Sequence, residues 1–156
     1  MDTEWIIAGG TAIVLGAGGG LLTEIGAWYR NLKKPWWNPP NWLFGPAWTL
    51  LLIGWAWSAV TAWRAADAAT QPWVLILYGL NAALFFAWSP LFFKLKRPDW
   101  ALLEIIPFWA SILALILFTA PFAPKAAWLI APYLAWVSFA AVLNWKIVQL
   151  NKPFAR

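Results

Sequence analysis

Residues 100–120 read WALLEIIPFWASILALILFTA, an apolar run carrying a single charge, Glu104. An α-helix needs ~20 such residues to cross a hydrocarbon core of ~30 Å, so this stretch is a membrane span and it decides the fold. Working outward, blocks of the same kind occupy about 5–27, 43–63, 73–93 and 126–148, joined by short polar connections. The first block lacks a basic leader and runs too long for a cleaved signal core, so it reads as a span. The expected architecture is all-α: one domain over 1–156, built as a five-helix transmembrane bundle. Composition agrees, with 63% hydrophobic and 11% charged residues against about 45–50% and 25% in a soluble domain.

The basic residues divide unevenly between the two ends of such a bundle. Arg30, Lys33, Lys34, Lys94, Lys96, Arg97, Lys146, Lys152 and Arg156 fall at one end, whereas Arg64 and Lys125 alone fall at the other. By the positive-inside bias the expected orientation in a bacterial inner membrane has the N-terminus outside and the C-terminus cytoplasmic; an outer membrane is the alternative. The net charge of +5 thus reports topology, and no nucleic-acid partner is expected. Membrane lipids are the expected surroundings.

The chain has no Cys and no His. That removes disulfides, thiol nucleophiles, Ser-His-Asp arrangements and the imidazole or thiolate zinc sites, so no metal site is expected. Haem iron usually takes His, Cys, Met or Tyr, which leaves Tyr29, Tyr78, Tyr133 and Met1. A tetrapyrrole here would be held by its ring and carboxylates.

Trp5, Trp28, Trp42, Trp63, Trp73, Trp100, Trp128 and Trp145 fall near span ends, where indoles anchor at headgroup level. Those at 36, 37, 48, 55, 57, 88, 109 and 136 lie in the first loop or nearer the span centres and need another explanation. The first span carries Gly9, Gly10, Gly16, Gly18, Gly19 and Gly20; Gly16 and Gly20 form a GxxxG pair suited to close helix approach. Packing within the chain and a homodimer seam are both open, and Ala83 and Ala87 in the third span offer a second small-residue face.

The first loop, 28–42, reads WYRNLKKPWWNPPNW. It is too polar to span and too aromatic for an ordinary linker. Pro35, Pro39 and Pro40 restrict the backbone, so the Trp side chains are presented with little entropy left to lose on binding. Either a lid over the bundle mouth or a plug of the bundle end fits.

This loop has the pattern WYxxLxKPxWxPPxW and is followed by Phe44-Gly45-Pro46-Ala47-Trp48. Trp88-Ser89-Pro90-Leu91-Phe92-Phe93 comes later, and then Pro132-Tyr133-Leu134-Ala135-Trp136, Phe139-Ala140 and Leu143-Asn144. In these motifs, their order and the span count, the chain resembles the translocator protein/tryptophan-rich sensory protein (TspO) family over nearly its whole length. The resemblance implies a pocket under the first loop that binds porphyrins and, in some relatives, sterols or benzodiazepine-like ligands. Carried over, the pocket would take Trp36, Trp37, Pro39 and Pro40 from the loop, Phe44 and Trp48 from the second span, and Asn81, Trp88 and Phe92 from the third. Tyr133, Trp136, Ala140 and Asn144 would come from the fifth. Arg30, Lys33 or Lys34 would meet the porphyrin carboxylates, unless these cations serve topology alone.

Three positions depart from the resemblance. Phe85 stands where the family commonly has Asn, with Asn81 one turn earlier where Gln is common, and Leu52 stands where a Tyr is often found. Polar recognition is therefore expected to be reduced and stacking retained. The C-terminal sterol pattern of animal members is not matched, since Tyr133 has no basic residue at the required spacing. Of the intramembrane or interfacial acids, Glu24 is expected to pair with Arg30 or a loop Lys, and Glu104 to reach Lys96 or Arg97.

The function expected is a membrane receptor or carrier for protoporphyrin IX-like tetrapyrroles and other flat hydrophobic ligands, working as a homodimer with no required cofactor. The first alternative is a light-dependent porphyrin-degrading enzyme, in which Trp48 and Trp136 would relay radicals; no acid-base pair or nucleophile supports ordinary catalysis. The second is a lipid- or sterol-binding scaffold.

Overall fold

A computed structural model of the chain describes residues 2–154; Met1 and Arg156, named above, lie outside the described residues. Five helices among them are long and apolar enough to cross a membrane. They are α1 (Thr3–Leu22), α3 (Asn41–Ala65), α4 (Gln71–Ser89), α5 (Pro98–Thr119) and α6 (Pro124–Asn151), with a short α2 (Ala27–Asn31) between the first two. The starts follow proline chemistry. Pro40 is the N-cap of α3, and α4, α5 and α6 each carry Pro in the first turn, where the missing N–H costs nothing and φ is already helical. Pro46, Pro107 and Pro132 lie inside α3, α5 and α6, positions that a membrane bundle tolerates because neighbouring groups satisfy the freed carbonyls.

The spans expected at 43–63, 73–93, 100–120 and 126–148 match these helices within a few residues. The first does not run to 27: α1 stops at Leu22, Thr23 turns back with its N–H on the Gly20 carbonyl, and α2 begins only at Ala27. After Ser89 the fourth element continues as a π-turn over Pro90–Lys94, with the Leu95 N–H on the Pro90 carbonyl. Such wide turns cluster at functional places in helices.

The packed pairs α1·α3, α3·α6, α5·α6, α4·α5 and α1·α4 close the five long helices into a ring. One half of its interior is filled around Trp55, Val60, Tyr78, Ile112, Ile130 and Tyr133. Buried polar groups there are satisfied across helices: the Ser58 hydroxyl lies 2.6 Å from Tyr78 Oη and donates to the Ala126 carbonyl at 2.8 Å. A second cluster under α2 gathers Tyr29, Phe92, Phe93, Ala101, Leu143 and Ile147.

The glycines of α1 are used within the chain. A Cβ on Gly16 would lie 3.4 Å from Leu52 Cδ1, one on Gly19 would lie 3.7 Å from the Phe85 ring, and one on Gly18 would overlap the Phe86 ring at 2.5 Å. Gly9, Gly10 and Gly20 meet nothing within 4 Å.

The two acids behave differently from expectation. Glu24 pairs with Lys94 of the π-turn, not with Arg30 or a loop Lys. Arg97 is engaged by Asp99, and both carboxyl oxygens of Glu104 are buried with no hydrogen-bond partner among the described residues. The cause is register. Glu104 lies seven residues, two turns, before Ser111, so it shares the stripe of α5 that bonds Asn81 of α4 instead of facing the loop cations.

Candidate ligand-binding site

Between the two packed clusters lies a cavity of about 410 Å³. Gly16, Gly19 and Gly20 of α1 leave the room, and α3 to α6 supply aromatic walls. Of the residues expected from the sequence, Phe44, Trp48, Trp88, Phe92, Trp136, Ala140 and Asn144 line it.

Trp48 is the corner of the wall. Its ring meets Phe85 edge-on at 5.2 Å, Trp136 at 6.2 Å and Tyr133 at 6.3 Å. Phe44 meets Trp136 at 6.0 Å, and on the other side Trp88 stacks on Phe92 at 4.9 Å with 25° between planes. Such edge-to-face and offset pairs are each worth ~0.5–1.5 kcal/mol beyond area, so the rings hold one another in place while their free faces meet the cavity.

Little polar chemistry reaches this wall. Asn144 accepts from Trp88 Nε1 at 3.2 Å and donates to the Pro98 carbonyl at 2.8 Å, so both ends of its amide are taken. The indole Nε1 of Trp136 is buried with no hydrogen-bond partner among the described residues. The departures Phe85 and Leu52 are both wall residues, so the wall is apolar at two positions where the resemblance predicts polar groups.

The other expected residues sit elsewhere. Asn81 is fully buried below the cavity, accepting from Trp55 Nε1 at 2.9 Å and donating to Ser111 Oγ at 2.8 Å; it braces α3, α4 and α5. Tyr133 is buried behind Trp48 and Phe108, with the Phe108 ring at 5.9 Å. In the loop, Trp36 is 95% exposed, Trp37 packs edge-on against Phe139 at 5.8 Å, Pro39 is buried and Pro40 caps α3. None of these six forms the cavity wall. The loop covers the bundle end through α2 instead: Tyr29 lines the cavity, and its hydroxyl lies 3.5 Å from Asn41 Oδ1.

The loop cations are also sorted. Lys34 donates to the Tyr29 carbonyl at 2.6 Å and the Leu32 carbonyl at 3.2 Å and sits 4.3 Å from the Tyr29 ring centre. It closes the C-terminal end of α2 and is not available to a ligand. Burial pushes its ammonium below the ordinary lysine value and the Tyr29 phenol above the ordinary tyrosine value. Arg30 and Lys33 are exposed.

Sequence reasoning missed the contribution of α1 and of Gly45, Thr49, Ile105 and Phe108. The glycine run was the available signal, since a stripe without side chains leaves space as well as permitting contact. The exposed wall residues are Gly16, Gly20, Ile25, Asn41, Gly45 and Thr49, so the cavity opens between the end of α1 and the start of α3.

The sequence profile of the TspO/MBR family matches residues 8–150. The chain is 37% identical over 148 residues to the tryptophan-rich protein TspO of Chlorobaculum tepidum, covering 91% of this chain and 92% of that one. It is 33% identical over 159 residues to the translocator protein of Ovis aries, covering 97% and 94%. To the tryptophan-rich sensory protein of Cereibacter sphaeroides it is 35% identical over 139 residues, covering 88% and 86%. With five membrane-spanning helices and likeness at this level along nearly its whole length, the chain is an integral membrane protein that belongs to the TspO/MBR family.

Proposed function

We propose that this protein is a membrane receptor or carrier that binds protoporphyrin IX-like tetrapyrroles, and other flat hydrophobic molecules, in the cavity beneath α2. The observation that carries this reading is the aromatic corner around Trp48, with the stacked Trp88–Phe92 pair on a facing helix. A volume of about 410 Å³ falls in the range of small-molecule sites, ~300–1,000 Å³, and the gap between α1 and α3 lets a macrocycle enter from the bilayer and project beyond the enclosed space. Arg30 and Lys33 are the cations left for its carboxylates. In this reading the ring is held by its faces.

The same reading has the protein in a bacterial inner membrane with its basic end cytoplasmic, and as a homodimer. The uneven basic residues support the first. Open space at Gly9 and Gly10 and the exposed Ala83 are compatible with close approach of a second copy.

The test is a dark titration of protoporphyrin IX into the purified protein, followed by Trp fluorescence. Saturable quenching that weakens in Trp48→Phe and Trp136→Phe is expected. Quenching no different from empty micelles would sink the reading and favour the lipid- or sterol-binding scaffold.

One observation favours a second reading. Trp48 and Trp136 lie 6.2 Å apart on the cavity wall, close enough to pass an electron from one ring to the other beside a photosensitiser. In the reading as a light-dependent enzyme, illumination with oxygen gives a porphyrin product that detergent alone does not. Identical products with and without protein would exclude it.

A further inference from the structure

A second cavity, of about 700 Å³, opens at the basic end of the bundle and shares no lining residue with the first. Three segments build it. The α2 region gives Trp28 and Leu32, the turn between α4 and α5 gives Leu95, Lys96 and Arg97 ahead of Trp100, and the chain after α6 gives Pro153 and Phe154. Two indoles of the kind that sit at headgroup level therefore flank a pair of cations. We propose that this groove binds the headgroup of one anionic phospholipid.

The two cations are not equivalent. Arg97 is held by Asp99, with Nε on Oδ1 at 2.8 Å and Nη2 on Oδ2, and its guanidinium lies 4.2 Å from the Trp100 ring centre. Its charge is largely answered and its plane is fixed. Lys96 forms no ion pair among the described residues. The acid nearest to it in the α1–α2 link, Glu24, is already bound to Lys94. Among the described residues the groove thus presents one fixed guanidinium and one ammonium outside any ion pair.

The backbone gives an independent sign that this ammonium is used. Lys96 has φ of 54°, the only positive φ at a non-glycine residue among the described residues. Left-handed backbone is disfavoured for an L-residue with a Cβ, whereas glycine adopts it freely. The turn is pinned on both sides of it by the Leu95 N–H on the Pro90 carbonyl at 2.9 Å and the Arg97 N–H on the Leu91 carbonyl at 3.0 Å. A glycine would fit this turn without strain, yet the chain holds a lysine here at a cost. Strain kept at one residue of a groove is the mark of a side chain with a task.

Charge and wall together select the ligand. A soluble anion would use the cations and leave Trp28, Leu95 and Phe154 without a role, and a neutral lipid would use the walls alone. An anionic phospholipid uses both, and basic pockets between membrane helices at the cytoplasmic side are suited to such headgroups.

The test follows the thermal midpoint of the purified full chain in neutral detergent during titration with dioctanoyl phosphatidylglycerol, dioctanoyl phosphatidylcholine or inorganic phosphate. The variants are Lys96→Gln and Lys96→Gly, with Lys125→Gln, at the opposite end of the bundle, as control. Phosphatidylglycerol is expected to raise the midpoint saturably. Both Lys96 variants should need about fivefold more of it, and Lys125→Gln should match the parent. Without lipid, Lys96→Gly should melt at or above the parent because the strain is gone, which separates lost binding from lost folding. An equal response to phosphatidylcholine would overturn the headgroup assignment, an equal response to inorganic phosphate would overturn the lipid, and unchanged titrations in both Lys96 variants would overturn the site.

Discussion

Asn151, in the last turn of α6, clasps the peptide of Lys33 in the first loop: its Oδ1 accepts the Lys33 N–H and its Nδ2 donates to the Lys33 carbonyl, both at 2.8 Å. The two bonds join residues 118 positions apart and fasten the loop over the bundle end. With Lys34 closing α2 from within, the loop is a cover latched to α6 by this amide.

Removing the latch should loosen the cover more than the bundle. Asn151→Ala leaves the Lys33 N–H and carbonyl to water, since both are exposed, so the loss is expected near ~1 kcal/mol and not the larger cost of buried orphans. Amide exchange across residues 32–38 should accelerate while exchange in α5 and α6 stays slow. Uniform acceleration across the helices would show that the clasp supports the whole bundle instead.

Trp48 and Trp136 should act on binding through ring geometry. Each Phe variant keeps an aromatic edge but gives up indole area against its neighbours. At ~0.5–1.5 kcal/mol per aromatic pair, the loss corresponds to about twofold to twelvefold in porphyrin affinity. Fluorescence titration of the single and double variants checks this, and because the rings touch, the two losses should not add.

Asn81 should behave as a structural residue. Asn81→Ala orphans Trp55 Nε1 and removes the bond to Ser111 Oγ in a buried setting, with an expected loss of ~1–3 kcal/mol of stability. Porphyrin affinity measured well below the melting range should stay within twofold of the parent. A tenfold loss there would mean that the amide turns toward a guest in the bound state.

The five spans were legible because the signal is long-range and redundant: a run such as 100–120 leaves no alternative in water. Trp48, Trp88 and Trp136 stood out because anchoring does not explain them, and it was the family resemblance that assigned them to a pocket wall. What local sequence did not reveal depends on pairing between distant segments. Nothing near Glu24 points to Lys94, seventy positions away, and nothing near Asn81 tells a wall amide from a brace. The loop tryptophans show the same limit: Trp36 and Trp37 are neighbours with the same chemistry, yet one faces outward and the other packs on Phe139.

The Glu24–Lys94 pair should make stability fall in acid. Its hydrogen bond and charge from Lys94 hold the Glu24 carboxyl below the ordinary glutamate value, so the folded protein prefers the ionised form. The contribution is therefore full above the unfolded-state value and is lost as pH falls through the folded-state value. Both groups are well exposed, so the effect is small and screened by salt. Thermal midpoints between neutral pH and the carboxylate range should fall less in Glu24→Gln than in the parent, and the difference should shrink in high salt.

Two glycines should answer the same substitution with opposite consequences. A Cβ on Gly54 of α3 would stand 3.2 Å from the Leu129 backbone carbonyl of α6. Backbone in a packed helix cannot step aside cheaply, so Gly54→Ala should spread α3 from α6 and cost ~1–3 kcal/mol as overpacking. A Cβ on Gly18 would come still closer, 2.5 Å from Phe86 Cε2, but that atom is the far end of a half-exposed side chain that can swing outward toward lipid. Alanine also gains up to ~1 kcal/mol over glycine inside a helix, so Gly18→Ala should be nearly neutral in spite of the shorter distance. Denaturation of the two variants in the same detergent checks the ordering; a Gly18→Ala loss as large as that of Gly54→Ala would show that Phe86 is held in place and that α1 and α4 are locked together as tightly as α3 and α6.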